Sequence, residues 1–413
     1  MLLSLNSLTK MALLLAALGV LCLTTASARA QSDGCTVEPR NPNSSIQLAI
    51  NNGCSQIRAT PGTYHENVVV PAGQTVSITS VSGAANTIVD GGGMGSVFTV
   101  SNGANVTLNG MTFQYGSADY GAGVANYAGT MTLNNCTFTN NYGYQGGGIL
   151  NSSGAMTLLN CSITNNRGTL GGGIANDSGT VILNNTPITN NYGYIGGGIH
   201  NLNGTIIVTD CAIANNSAER GAGIDNEYGG VITVSNTPIT SNYAEAGGGI
   251  ANVEGSISLN NSPVVENVGV YNGGGIYSFY GKLTLNDSPV TGNSSLSGGG
   301  IENVYGQFSS NPDGIGTVTL NNSPVTGNSA IYGGGIDNEV GAVTLTNSPV
   351  TNNSASYGGG IFNDVGAVTL NSSNVTHNRA SSAGGGIYEH LGTVTLNGSS
   401  SVTGNTPDDI LEF

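Results

Sequence analysis

The sequence has no tryptophan, and only 8% of its 413 residues are charged. That charged fraction is too small for a chain kept disordered by like-charge repulsion, and too small for the Glu/Lys-rich pattern of a helical bundle. Cations are scarcer still. Lys and Arg number 8 against 23 Asp and Glu, a formal charge of −15. Nucleic acid and anionic lipid are therefore not expected as partners, because phosphate binding needs basic side chains that release counterions. Cysteine is sparse, at 6 residues, and never spaced C-x-x-C, so neither a zinc site nor a redox motif is indicated. After residue 30 no apolar run approaches the ~20 residues that span a bilayer. No membrane span is expected in the mature chain.

The one long apolar run, Met11 to Leu23, follows Lys10 and leads to Ala28-Arg29-Ala30. A positive start, an apolar middle and an A-x-A end read as a secretory signal over residues 1–30. The mature chain is expected outside the cell or at its surface, as a monomer. An oxidising compartment permits disulfides. Cys35 and Cys54 bracket a short segment and are predicted to staple it; Cys136 and Cys161 are a second candidate pair.

What the chain has in abundance is glycine, 66 residues, and it is periodic. Gly-Gly-Gly-Ile or a close variant begins at Gly121, Gly146, Gly171, Gly196, Gly221, Gly247, Gly273, Gly298, Gly333, Gly358 and Gly384. The exceptional step, from 298 to 333, holds QFSSNPDGIG, read as an inserted loop. A repeat of this length predicts a solenoid. Within it the apolar pattern alternates with period 2, as at Ile206 and Val208, and Gly or Asn marks the turns. Three short strands and three turns per 25 residues make one coil of a parallel β-helix, with rungs ~4.8 Å apart. Equivalent residues then stack as ladders. Phe138, Ile163, Ile188 and Ile213 belong to an inward apolar ladder, and Asn141, Asn166, Asn191 and Asn216 to an amide ladder suited to left-handed turns. Cys136 and Cys161 occupy one repeat position, so their Cα atoms should fall within the ~4.4–6.8 Å disulfide window.

Apolar-x-x-Asn followed by Gly-Gly-small-Ile, as in Phe138-Thr-Asn-Asn141 before Gly146-Gly-Gly-Ile149, resembles the repeats of polymorphic outer-membrane proteins. Residues 43 to 70 are similar to the entry of pectin-lyase-like β-helices, with a short amphipathic helix and then P-G-T-Y-x-E. The resemblance implies an all-β, single-stranded, right-handed parallel β-helix of about one coil per 25 residues, with a short N-terminal helical cap. The expected organisation is a signal over 1–30, a cap over 31–60, coils over 61–405 and a terminal tail over 406–413.

The signatures of pectin-active enzymes are not assembled here. No two cations share neighbouring coils at one outward strand position, and G-x-S-x-G is missing. Glu66, in Gly62-Thr-Tyr64-His-Glu66, is read as structural. The strand after each Gly-Gly-Gly is expected to point two residues per coil to solvent. In the C-terminal half these are aromatics and acids: Asp225, Glu227, Tyr277, Phe279, Glu302, Asp337, Glu339, Phe362, Asp364, Tyr388 and His390. Exposed rings and carboxylates suit sugars, so the predicted function is adhesion or glycan binding without catalysis, toward an extracellular glycan or a neighbouring cell surface. Acids one coil apart also suit a polysaccharide lyase or glycoside hydrolase, the alternative. No cofactor is required, and stacked carboxylates would accept calcium. A Thr file including Thr132, Thr157 and Thr233 raises ice binding as a distant third, interrupted at Ile182 and Ile207.

Overall fold

In a computed structural model the described residues are 34–41, 43–304 and 316–412. The predicted signal and nearly all of the inserted loop lie outside them. Each repeat builds its first strand from alternating β-branched residues. In Thr205–Thr209 the side chains of Ile206 and Val208 turn inward and that of Ile207 outward. Ile206 pairs in register with Val181 behind and Ile232 ahead. Repetition yields one sheet of 15 strands and two of 14, all parallel, forming a right-handed β-helix. One apolar core runs through it from Val37 to Ile387. Phe113 and Phe138 stack inside at 5.3 Å between ring centroids.

From Ser117 onward the coils hold more than the three expected strands. The residues between the ladder asparagine and Gly-Gly-Gly form a fourth, short strand. Ser117–Tyr120, Tyr142–Gln145 and Arg167–Leu170 pair in a separate parallel sheet. Isolated bridges carry the same line onward through Tyr192, Ser217 and Tyr243. This flap folds back against the third sheet, formed by the strands after each Gly-Gly-Gly, such as Ile199–Leu202 paired with Ile224–Glu227, and glycine makes the approach possible. A Cβ on the flap's Gly193 would stand 2.6 Å from the Gly196 carbonyl oxygen, and one on Gly197 would stand 2.6 Å from the carbonyl oxygen of Ser217 on the flap.

The helix Ile46–Asn51 closes the N-terminal end with Ile46, Ala49 and Ile50 buried. Its free N–H groups are met twice over. The Ser45 hydroxyl accepts from Leu48 N–H, and the Glu66 carboxylate accepts from Ile46 and Gln47 N–H at 3.0 and 2.9 Å. Cys35 and Cys54 are disulfide-bonded, Cα–Cα 6.1 Å. Cys136 and Cys161 stack on adjacent coils but are free thiols, as is Cys211. Their column explains why. Cys136 N–H donates to Cys161 Sγ at 3.4 Å, and Cys161 N–H to the Thr186 hydroxyl at 3.2 Å. The position needs a turn acceptor from coil to coil, a task a thiol shares with the Thr and Ser elsewhere in the column. At the other end Ile410–Glu412 adds a last rung to the third sheet.

The amide ladder is buried, and each member makes several bonds. Asn216 Oδ1 accepts from both the backbone N–H and the side-chain amide of Asn191, at 2.9 and 3.1 Å. Its own amide donates to the Ile188 carbonyl at 3.0 Å. Left-handed φ belongs to the residue before, such as Asn190 (57°) and Asn215 (56°), and the ladder asparagine itself is not in that region. The preceding residue turns the chain, and the ladder amide satisfies the backbone that the turn exposes. Asn216→Ala should strand three buried polar groups at about 1–3 kcal/mol each. Chemical denaturation should show at least about 3 kcal/mol lost; a loss below about 1 kcal/mol would mean the ladder is dispensable there.

Candidate functional site

The predicted ligand face is the outer side of the third sheet, and the structure closes much of it. Asp225, Glu227, Glu302 and Asp337 are buried, not exposed as expected. The flap and the first glycine of each Gly-Gly-Gly cover the first outward residue of each strand; a Cβ on Gly298 would lie 2.5 Å from Glu302 Cβ. Tyr277, Phe279, Glu339, Phe362, Asp364 and Tyr388 are half-buried, and His390 is exposed.

Asp225 and Glu227 join a compact charged cluster that includes His200 and Arg220. His200 Nδ1 lies 3.2 Å from Asp225 Oδ1. Arg220 reaches down from the flap, its Nε 2.8 Å from Asp225 Oδ2 and its Nη2 paired with Glu227. The ligand atoms of His200, Asp225 and Glu227 lie within 4.8 Å of one another, a spacing that a metal ion could bridge. Arg220 already neutralises the acids, so the cluster acts as a charge clamp holding the flap to the sheet.

The second cluster has no such cation. Glu302 and Asp337 are register partners on adjacent coils. Glu302 Oε1 accepts from the Asn272 amide at 2.8 Å. Glu302 Oε2 and Asp337 Oδ1 are buried with no hydrogen-bond partner among the described residues. Burial, then the charge of Asp337, holds the Glu302 carboxyl well above the ordinary carboxylate range. Burial, then Glu339 and Asp364, does the same for Asp337. Tyr277 is pushed up to about 12 by burial and by Glu302 and Glu339. Asp364 pairs with His390 at 2.6 Å.

The aromatics of this half use their faces on one another. Phe362 stacks on Tyr388 at 5.0 Å, and the flap residues Tyr332 and Tyr357 pack edge-on against them at 5.5 and 5.7 Å. Tyr277 and Phe279 stack at 6.3 Å. Ring faces so occupied form a packed cluster and offer little platform to a sugar.

Open aromatic surface lies elsewhere, on the flap strands. Tyr142, Tyr144, Tyr192, Tyr194, Tyr243 and Tyr271 are between 44% and 57% exposed. Tyr142 and Tyr144, like Tyr192 and Tyr194, are two apart on one strand line and so share a face. A groove of about 480 Å³ is lined by Asp119, Tyr142, Tyr144 and Thr169. A second, of about 260 Å³, lies among Tyr194, Glu219, Arg220, Glu245 and Tyr271. The Glu219 carboxylate beside the Tyr194 hydroxyl raises that tyrosine's pKa. The sequence signal for this strip is Tyr-Gly-Tyr four residues ahead of Gly-Gly-Gly, at 142–144 and 192–194. It is overlooked when the segment is read as a turn.

Residues 96–268 match the family model described as right handed beta helix region. The fold is that of a right-handed β-helix. No curated protein matches the chain. Among solved structures it is similar to the catalytic domain of a GH87 alpha-1,3-glucanase in complex with tetrasaccharides. That match has 12% identity and a TM-score of 0.41, over 92% of this chain and 69% of that one. The same kind of domain in complex with nigerose matches at 12% identity and TM-score 0.36, over 92% and 68%.

The buried acids make stability depend on pH. A carboxyl whose folded pKa is raised binds its proton more tightly folded than unfolded. Its contribution is complete below the ordinary carboxylate pKa of about 4 and is lost as pH rises through the raised value. Melting temperature should therefore fall from acid toward neutral pH, and a Glu302→Gln, Asp337→Asn variant should flatten that slope. An unchanged slope in the variant would mean these two groups are ionised at no cost.

Proposed function

We propose that this is a secreted, non-catalytic glycan-binding β-helix that acts in adhesion at a cell surface. The exposed tyrosine strip carries the reading. An aromatic face gives a sugar ring large contact area at small entropic cost, while the phenolic hydroxyl stays wet for hydrogen bonding. Along the flap line rings recur on every second coil, Tyr142, Tyr192 and Tyr243, ~10 Å apart along the axis, about the length of two sugar units. Asp119, Glu219 and Glu245 beside the rings supply acceptors for sugar hydroxyls. The two grooves are open and shallow, which suits a chain lying across them better than a small enclosed ligand.

A second reading, hydrolysis of an extracellular polysaccharide, rests on Glu302 and Asp337, whose raised pKa values suit a general acid. Both are closed beneath the flap, so substrate access would require it to open.

A glycan array with parallel reducing-sugar release tests both. Binding without release is expected. The triple variant Tyr142→Ala, Tyr144→Ala, Tyr194→Ala should bind at least tenfold more weakly, about 1.4 kcal/mol. Exposed side chains cost roughly 0.5 kcal/mol or less each in stability, so its melting temperature should hold. Undiminished binding by that variant would reject the strip as the site. Release of reducing ends, abolished by Glu302→Gln, would favour the hydrolase.

A further inference from the structure

Of the two arginines that border the tyrosine strip among the described residues, Arg220 is paired with Asp225 and Glu227, and Arg167 is not. Arg167 is exposed on its flap strand, with Tyr142 one coil behind and Tyr192 one coil ahead. Its guanidinium carbon lies 5.9 Å from the centroid of the first ring and 4.8 Å from that of the second. Rings on both sides hold the planar group in place by cation–π attraction. Among the described residues no carboxylate lies within ion-pair distance of it. An exposed arginine braced on both sides is prearranged for a planar anion.

We infer that Arg167, braced by Tyr142 and Tyr192, is the specificity residue of the strip and selects glycans that carry a carboxylate, uronic-acid-containing chains, over neutral ones. This deepens the glycan-binding reading and rests on it. The surrounding charge limits the ligand further. Asp119 and Glu219 sit two coils to either side, ~10 Å along the axis. That is beyond the ~8 Å screening length of physiological salt, so they do not cancel attraction at Arg167. A second carboxylate laid beside either acid would be repelled. The strip therefore suits sparse charge, with a uronate among neutral sugars, and disfavours a dense polyanion.

The test uses the full mature protein and one probe in two forms: a hyaluronan trisaccharide in which one uronate stands between two neutral sugars, and the same trisaccharide with its carboxyl reduced to an alcohol. The carboxylate form should bind about tenfold more tightly, as a charge-assisted contact predicts. Raising salt should weaken that form alone. Arg167→Met should erase the preference while leaving the reduced form bound as before. Arg167→Lys, which keeps the charge and loses the fork, should retain only part of it. Equal binding of both forms by the native protein, or a preference that survives Arg167→Met, overturns the inference. So does binding of neither form; the glycan-binding reading itself falls only if the array is blank for neutral and acidic glycans alike.

Discussion

A buried amide at one turn of each coil is the interaction on which the solenoid depends. Parallel strands satisfy their own backbones between coils, but a corner leaves N–H and C=O groups inside with no water to meet them. The ladder asparagine resolves this by spanning two coils. Asn242, for instance, accepts from the backbone and the side chain of Asn216 and donates to the Ile213 carbonyl. Because each member bonds to the next, extra residues are accommodated away from this corner: across the inserted loop Asn293 still donates to Asn328 at 3.0 Å. A second buried amide file supports the third sheet, where Asn176 donates to Asn201 and Asn201 to Asn226. Ser278 occupies its place further on and leaves its hydroxyl unmatched. The C-terminal half therefore carries both an imperfect file and an uncompensated pair of carboxylates.

Glycine has a different part. It lets the flap lie on the third sheet at a distance no side chain would allow, and in doing so it decides which residues meet solvent. The flap buries the acids of the sheet and turns its own tyrosines outward. Arg220 pins it by reaching Asp225 and Glu227, while farther along aromatic packing does the same through Tyr332 and Tyr357 against Phe362 and Tyr388. Charge is thus used for closure in one half and ring stacking in the other. The ligand surface proposed here is the outside of that closure, where rings are free and Arg167 is held between two of them.

Fold class, period, the inward apolar ladders and the amide ladder were legible in the amino-acid sequence. Each is a local choice repeated at fixed spacing, and stacking makes repetition and adjacency the same thing. The neighbouring placement of Cys136 and Cys161 follows equally, while their free state depends on the hydrogen bonds of that column. The candidate site was legible only in part. Alternation correctly put Asp225, Glu302 and Asp337 on the side of the strand away from the core. It could not show that another strand lies over that side, because the covering segment is four residues long and its contact is made by glycine backbone, which leaves no pattern of side chains. Exposure is a property of what packs above a residue, and here only the tertiary structure decided it: the acids went under the flap, and the flap's own tyrosines became the surface.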